Sequence, residues 1–364
     1  MTTCDSHVAE LRAAVRDLLR KECTEQHVRS AASTEGGFDQ SLWCQMAELG
    51  ITGMIIDPEF GGVGLGPIAL EAVAEELGAA LTPSPFLSSA VLAASLLQES
   101  GEVVDLMRLL PGIADGTSIA AVAITGNRGT WTSDGVDVTA EADGTLSGRA
   151  CHVLFGQAAD VIVVVARTPN GFGIFEVDRD SAGFGRSAES VFDATVRLST
   201  FTFDRVPARR LGAAGWDAVQ RALDLTVIAL AGEQAGGSRR VLEQTIQHLK
   251  TRIQFGRAIG SFQSVKHLAA DSLLEVESAT SAARHAAALS ESGNSDVAGA
   301  VALAGFVCAE AYETTAMNAV QMHGGIGFTW ECPVHLYLRR ARSGAHLFGA
   351  SRTHRERYLE AKGA

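Results

Sequence analysis

Hydrophobic positions in the first part of the chain recur at the spacing of helices. Over residues 8–22 the valines and leucines lie mostly three or four positions apart, which predicts an amphipathic helix. Further helices are predicted over residues 39–50, in IALEAVAEELGAAL and in SSAVLAASLLQES, and the glycine-rich segment GGVGLG at 61–66 is predicted to be a loop. We therefore expect residues 1–112 to form an N-terminal helical domain.

Between residues 113 and 210 the hydrophobic pattern changes to that of strands. Short runs rich in Val, Ile, Thr and Phe are separated by Gly or Asp: SIAAVAI, GVDVTAEA, DVIVVVAR, FGIFEV and VRLSTFTF. They predict the antiparallel strands of a small sheet or barrel. Asp143-Gly144 and Ser147-Gly148 have the composition of turns that join strands.

After Pro207 the helical pattern returns, in predicted helices over residues 214–251, 263–291 and 296–322. Gly236-Gly237 lies inside the first of them, and a glycine in a helix costs about 1 kcal/mol relative to alanine. Such a pair indicates that another backbone or a ligand approaches closely, or else that the helix breaks there. With residues 211–364 helical, the fold class is α+β, in the order helical, β, helical.

The charge balance is acidic, because 42 Asp and Glu against 30 Lys and Arg give a formal net charge of −12 over 364 residues. Nucleic acids and anionic membranes attract a positive face, so this balance disfavours both as partners. The most apolar predicted helical stretch, Val297 to Ala309, is too short to span a bilayer. The N-terminus lacks the pattern of a signal peptide. We expect a cytoplasmic protein without a membrane span.

The six cysteines are scattered, with no CxxC and no paired histidine spacing. In a chain of this size they are expected to be buried thiols rather than disulfides or zinc ligands. The ten histidines show no HExxH or other metal-binding spacing. No metal site is therefore predicted.

Three stretches of the sequence are more specific than these patterns. They are LWCQMAELGITGMIIDPEFGGVGLG at 42–66, TRIQFGRAIGSFQSVKHLAAD at 251–271 and QMHGGIGFTWECPVHLYLRRAR at 321–342. Together, and in this order, they resemble signature stretches of the acyl-CoA dehydrogenase family. The resemblance implies an N-terminal helical domain, a middle antiparallel β domain and a C-terminal four-helix bundle. It also implies FAD as cofactor, an acyl-CoA thioester as substrate and an electron-transfer flavoprotein or similar protein as acceptor.

Physical chemistry supports a flavin role for the second and third stretches. A guanidinium followed by an aromatic ring offers contacts for a diphosphate and for a ring, and glycines let backbone N–H groups approach phosphate oxygens. The resemblance implies that FAD, bound mainly by a neighbouring subunit, is held by Arg252, Phe255, Gln263, Gln321, Gly324 and Gly325. The structural alternatives are a helix cap at Gly324-Gly325 and a core-filling Phe255.

The catalytic base of the family is missing from its expected positions. In the family a carboxylate removes the α-proton of the thioester. The two matching positions here hold Phe348 and Thr226, neither of which is a carboxylate. Glu233 lies two helical turns beyond Thr226 and is either a displaced base or a buried acid paired with an arginine. Catalytic residues are therefore absent at the family positions, with Glu233 as a weak candidate.

The sheet region also departs from the family pattern where that pattern places the flavin ring. The segment 123–130 keeps Thr125 but not the acid and proline of the family turn, and the later strand has the sequence Val153-Leu-Phe-Gly-Gln157. The sequence thus retains the dinucleotide contacts and alters the ring pocket and the base.

This asymmetry suggests a shared cofactor. The family includes bacterial α2β2 heterotetramers, several of which act on CoA thioesters of steroid side chains or ring remnants, and we interpret this chain as the subunit without the base. The alternatives are a self-sufficient homotetramer using Glu233, a catalytically silent binding or scaffold protein, and a flavin monooxygenase or nitroalkane-oxidising relative. His323 is interpreted as supporting the backbone, and Arg339, Arg340 and Arg342 as a phosphate contact or an ion-paired helix face.

Overall fold

A computed structural model describes residues 3–212 and 215–363. The helices in chain order are α1 (Thr3–Glu22), α2 (Glu25–Ser33), α3 (Gln40–Glu48), α4 (Pro67–Ala79), α5 (Ala94–Ser100), α6 (Val103–Ala114), α7 (Trp216–Thr251), α8 (Gln263–Glu291), α9 (Val297–His323), α10 (Val334–Gly344) and α11 (Ser351–Ala361). The strands are β1 (Ala120–Ala123), β2 (Thr139–Ala140), β3 (Thr145–Leu154), β4 (Val161–Thr168), β5 (Gly171–Val177), β6 (Phe184–Ala188), β7 (Leu198–Gly212), β8 (Ile253–Gln254) and β9 (Arg257–Ala258). The predicted α+β class and its helical, β, helical order are confirmed.

The chain divides into two compact units. The bundle unit contains the N-terminal segment up to Val28, Pro67–Thr82 and everything from Val227 onward. The sheet unit contains Arg29–Gly66 and Pro83–Thr226. The boundaries of the three sequence domains given above stay predictions.

In the bundle unit, α7 continues without a break through Gly236-Gly237, so the close-approach interpretation of this pair is correct. A Cβ added at Gly236 would lie 1.8 Å from the carbonyl oxygen of Glu75 on α4. One added at Gly78 would lie 1.9 Å from the carbonyl oxygen of Glu233 on α7. The backbones of α4 and α7 therefore touch. The predicted start of this helix at residue 214 lies outside the described residues.

Three carboxylates of α4 are buried in the bundle unit and face arginines of α1, α7 and α8. Arg16 binds Glu76 through Nε and Nη2 at 2.9 and 2.7 Å, and Arg12 binds Glu75. Glu71 is less well satisfied, because its Oε1 accepts no hydrogen bond from the described residues. Burial, followed by the neighbouring charge of Glu75, raises the pKa of Glu71 to about 7.

Helix α9 of the bundle unit is rich in apolar residues and packs against α8, α10 and α11. By length and composition alone Val297–Phe328 could cross a membrane, which corrects the expectation that the apolar stretch ends after 13 residues and is too short to do so. Half of its most apolar window is buried inside the protein, as in a core helix. Many of its buried residues are alanines, which lets the neighbouring helices approach closely.

The sheet unit contains a mainly antiparallel sheet that closes on itself. Strands pair in the circuit β4–β2–β3–β7–β5–β4, with β6 added beside β7 and β1 beside β4. Among the strand pairs of the described residues, only those of β4 with β1 and with the two-residue β2 are parallel. Inward-facing side chains such as Ile162, Val164 and Phe201 fill the interior. Closure removes most of the unpaired strand edges, as in a small barrel.

One predicted turn in this sheet is present and the other is not. Asp143-Gly144 joins β2 to β3, with the Thr145 N–H and hydroxyl donating to Asp143 Oδ1 at 3.1 and 2.7 Å. Ser147-Gly148 lies inside β3, where the register against β7 shifts and Gly148 has φ +132°. A glycine and a polar residue within a strand thus mark a β-bulge here, so the turn prediction at this pair was wrong.

The described cysteines form no disulfide, as predicted. Cys23, Cys151, Cys308 and Cys332 are buried free thiols. Cys44 is exposed, which corrects the expectation that all six are buried, because it lies on the polar face of α3. The side chain of Cys4 is outside the described part of the chain.

Candidate cofactor site

Helices α7 and α9 run parallel in the bundle unit and stop at the same end. A Cβ at Gly237 would lie 2.5 Å from the Tyr312 ring, and farther along His248 stacks on His323. Both pairs are 75 residues apart in the sequence, so the two helices keep one register over three turns. The segments that follow α7 and α9 therefore begin side by side.

Helix α8 runs antiparallel to α9, so its first turn lies at this same end. Asn318 Nδ2 donates to Ser272 Oγ at 3.1 Å, and Cys308 Sγ donates to the Ala279 carbonyl at 3.3 Å. As the residue number rises on one helix it falls on the other. Gln263, the first residue of α8, is thereby placed beside the point where α9 stops.

A short hairpin follows α7. Strands β8 and β9 pair across a two-residue turn, Phe255-Gly256. Both turn residues have positive φ, 52° and 76°, as a type I′ turn requires. That conformation is strained for a bulky residue, and the Phe255 side chain is 92% exposed. The core-filling alternative for Phe255 is therefore wrong, and the hairpin presents its ring outward.

A glycine turn follows α9, which ends at His323. Gly324 has φ +67° and ψ −146°, a combination that only glycine adopts readily, and its N–H caps the helix by donating to the Gln321 and Val320 carbonyls. A Cβ at Gly324 or at Gly325 would meet nothing within 4 Å. The helix-cap interpretation accounts for Gly324. It does not account for Gly325, whose backbone is simply open to its surroundings.

The residues gathered at this end suit the dinucleotide part of FAD. Arg252, Gln263 and Gln321 have exposed side chains. A guanidinium and two carboxamides, together with the open backbone at Gly325, supply hydrogen-bond donors for a diphosphate. Gly324 leaves room for a ligand, and an exposed aromatic ring suits a flat heterocycle. The structure thus brings together Arg252, Phe255, Gln263, Gln321, Gly324 and Gly325. That they bind FAD stays a prediction.

A histidine pair joins the hairpin segment to the glycine turn. The rings of His248 and His323 are 4.2 Å apart and 17° from parallel. His323 Nδ1 donates a hydrogen bond to the Ala319 carbonyl oxygen at 2.8 Å, so this side chain supports the backbone as expected. Burial, and then the charges of His323 and Arg252, lower the pKa of His248. Burial also lowers the pKa of His323, against the effect of its hydrogen bond.

The role of His248 was missed in the sequence. Its only signal there is its position one helical turn before Arg252, and no feature of the sequence pairs it with His323. The contact depends on the parallel alignment of α7 and α9.

The two positions compared with the family base carry no proton-accepting carboxylate. Phe348, in the bundle unit, is buried and has φ +58°. Thr226, in the sheet unit, is buried, and its hydroxyl donates to the Ala222 carbonyl at 2.7 Å. A phenyl ring cannot take a proton from a substrate carbon, and neither can a hydroxyl that already donates to a carbonyl of its own helix.

Glu233 is held in a buried ion pair. Its Oε1 accepts from Arg340 Nε at 2.8 Å, and both side chains are less than one-tenth exposed. Arg340 Nη2 also donates to the Thr82 carbonyl at 3.3 Å. This is the buried-acid arrangement that the sequence analysis set against a displaced base. It also shows that Arg340 is an ion-paired residue rather than a phosphate contact.

In the sheet unit, β3 carries a histidine–carboxylate pair that the sequence analysis did not single out. His152 has φ +57°, and both its N–H and its ring Nδ1 lie 2.8 Å from the carboxylate of Glu189. Burial opposes ionisation of Glu189, but hydrogen bonds from His152 and Thr200 outweigh it and lower its pKa. The neighbouring Cys151 N–H donates to the carbonyl of Thr125, the residue retained from the family turn. That the flavin-ring pocket is altered stays a prediction.

Among the described residues, no group of three or more His, Cys, Asp or Glu side chains is arranged to hold a metal ion.

Comparison with known proteins identifies the chain at the level of a family. Residues 6–117 match the model of the acyl-CoA dehydrogenase N-terminal domain, and residues 213–362 match that of the C-terminal domain. The chain is 32% identical over 354 residues to "Acyl-CoA dehydrogenase IpdE2" of Mycolicibacterium smegmatis, covering 97% of each protein.

Solved structures agree over the full length of the chain. The "ChsE4-ChsE5 complex from Mycobacterium tuberculosis" superposes with a TM-score of 0.90 at 28% identity, over 100% of this chain and 98% of the other. A variant of the "Tcur3481-Tcur3483 steroid ACAD" superposes with a TM-score of 0.89 at 29% identity, covering 99% of both chains. With sequence and structure in agreement from end to end, the chain belongs to the acyl-CoA dehydrogenase family.

Proposed function

We propose that this chain is one subunit of a hetero-oligomeric, FAD-dependent acyl-CoA dehydrogenase and that it holds the dinucleotide end of FAD while a homologous partner supplies the catalytic base. The observation that carries the proposal is an asymmetry. Six residues suited to a dinucleotide gather at one end of the bundle unit, whereas Phe348 and Thr226 replace the family carboxylate.

The chain's own residues would act on the cofactor as follows. Arg252 would bind the diphosphate through its guanidinium, and the open backbone at Gly325 would donate to a phosphate oxygen, since the Gly324 N–H already caps α9. The exposed ring of Phe255 would pack against a flat ring of the cofactor. When bound, FAD supplies the hydride acceptor for α,β-desaturation of the thioester. None of these contacts removes a proton, so the reaction requires a base from another chain.

Exposed apolar side chains at the same end favour a partner subunit. Phe255 and Phe328 are 92% and 79% exposed, and Trp330 is 67% exposed. Leu274 on α8 and Ile253 on the hairpin are also exposed. Exposed aromatic residues near charged and polar groups are typical of protein interfaces.

The substrate is proposed to be a CoA thioester with a steroid-derived acyl group. The support is similarity: one structural relative is described as a steroid ACAD, and another was solved as a complex of two proteins. An electron-transfer flavoprotein or a similar protein would then reoxidise the flavin. We place the reaction in the cytoplasm.

The test is the flavin content of the purified chain, alone and co-expressed with the homologous gene nearest to it in the genome. We expect little FAD on the lone chain, stoichiometric FAD on the complex, and reduction of the flavin by acyl-CoA only in the complex. A lone chain that is fully loaded and turns over thioesters contradicts the proposal. So does a complex that contains FAD but is never reduced by any acyl-CoA, which indicates a silent scaffold.

A matched pair of arginine variants tests the assigned site. Arg252→Gln should lower FAD retention by the complex at least about tenfold, because it removes a charge-assisted contact to phosphate. Arg352→Gln, which removes an exposed guanidinium on α11 that pairs with Glu356 four residues on, should retain FAD like the parent. Equal retention in both variants contradicts the role of Arg252.

A further inference from the structure

The two segments proposed to hold FAD are joined by one aromatic contact between neighbouring helices. His248 is one turn before Arg252, and His323 directly precedes Gly324. Their rings stack at 4.2 Å and 17°. A shift of α7 against α9 would break this stack and separate the guanidinium of Arg252 from the glycine backbone. The stack therefore sets the distance between the two halves of the site.

Stacking at this distance requires that the rings are not both charged. His323 Nδ1 is committed to the Ala319 carbonyl, so further protonation must occur at Nε2. Two imidazolium rings in face-to-face contact repel each other in a partly buried setting. Burial already disfavours the charged form of both rings.

The surrounding charges do not relieve that repulsion. Arg252 faces His248 from the end of α7 and is itself a cation. His323 lines a cavity of about 530 Å³ together with Arg240, Gln247 and one acid, Glu243. The residues that the start of α10 contributes to this cavity, Pro333 and Val334, are uncharged. The cavity exposes His323 to solvent, and its one carboxylate, Glu243, is already paired with Arg239 and Arg240 at 3.3 and 3.4 Å.

We propose that the stacked rings of His248 and His323 form a positioning clamp that holds the Arg252 hairpin against the Gly324–Gly325 turn, and that protonation of both rings opens it and weakens the hold on the dinucleotide. The proposal rests on the proposed function for the identity of the ligand. The clamp itself is a property of the chain and can be tested without FAD.

The first measurement is hydrogen exchange of the chain alone at pH 7.5 and 5.5, corrected for the intrinsic dependence of exchange on pH. We expect the segments 252–263 and 321–328 to lose protection together at pH 5.5, while the rest of α7 and α9 stays protected. His248→Phe keeps a flat neutral ring on His323 and should retain protection at both pH values. His248→Lys removes the stacking ring and places a permanent charge next to the cationic Arg252, so it should lose protection already at pH 7.5.

The second measurement is FAD retention by the complex with its partner at the same two pH values. The parent should bind FAD at least about tenfold more weakly at pH 5.5, and His248→Phe should change much less. If exchange in the two segments is the same in the parent, the Phe variant and the Lys variant, the clamp is refuted. If exchange follows the expectation but the complex holds no FAD at pH 7.5, the clamp stands and the proposed function fails.

Discussion

The Glu233→Gln substitution tests whether Glu233 is a structural acid or a displaced catalytic base. Glu233 Oε1 accepts from Arg340 Nε at 2.8 Å with both side chains nearly excluded from solvent. Removing one charge of such a pair leaves the other buried and uncompensated, which costs about 3–5 kcal/mol. Glutamine has the same size and can still accept one hydrogen bond from the guanidinium. We therefore expect a loss near the lower end, about 3 kcal/mol of unfolding free energy.

The assay is urea denaturation of the chain alone, paired with flavin reduction by acyl-CoA in the complex. Arg340→Gln should destabilise by a similar amount, because it strands the carboxylate instead. The double variant Glu233→Gln/Arg340→Gln should be more stable than either single one, since two amides can hydrogen bond without a buried charge. In the complex, Glu233→Gln should still allow the flavin to be reduced once the protein is folded.

The opposite pair of results refutes this reasoning. If Glu233→Gln changes the unfolding free energy by less than about 0.5 kcal/mol and abolishes flavin reduction, then Glu233 is a working base and not a structural acid. The chain would in that case be a self-sufficient dehydrogenase.

Two further predictions address single residues of the bundle unit. Gly325→Ala has open space for its Cβ and no positive φ, so it should leave the urea midpoint unchanged and weaken FAD retention by the complex; unchanged retention shows that no ligand lies against this backbone. The pKa of Glu71 is about 7 in the folded protein and near 4.5 in the unfolded chain. The unfolding free energy of the parent therefore falls as the pH rises from about 4.5 to 7, and it stays lower above pH 7. Glu71→Gln removes this loss and should be more stable than the parent by roughly 3 kcal/mol at pH 8 but equal to it at pH 4, as urea denaturation at both pH values can check.

Local chemistry in the sequence predicted those features that depend on one segment. The glycine pair in α7 indicated a close neighbour, because glycine inside a helix is unfavourable unless something needs its missing side chain. The α4 backbone, 1.8 Å from a Cβ built at Gly236, is that neighbour. The paired-acid interpretation of Glu233 was likewise available, because a carboxylate on a buried helix face needs a cation.

Features that depend on how segments meet were not predictable. Ser147-Gly148 has the composition of a turn, but in the structure it forms a bulge where β3 pairs with β7. Whether such a pair reverses the chain or bulges within a strand depends on the partner strand, which the local sequence does not specify. The His248–His323 stack depends on the common register of two helices whose contact residues are 75 positions apart. No local pattern encodes that register, because it results from side-chain packing along the whole contact.

The strain at Phe255 links the isolated chain to its proposed assembly. A bulky residue at φ +52° in a turn costs on the order of 1 kcal/mol or more, and an exposed phenyl ring gains nothing from burial in the free chain. Burying that ring against a ligand or a partner subunit contributes about 1.5–3 kcal/mol. The hairpin is thus less stable in the lone chain than it becomes once its ring is covered. Because the same hairpin lies next to Arg252 and the glycine turn, cofactor and partner stabilise one and the same local structure, and each should bind more tightly in the presence of the other.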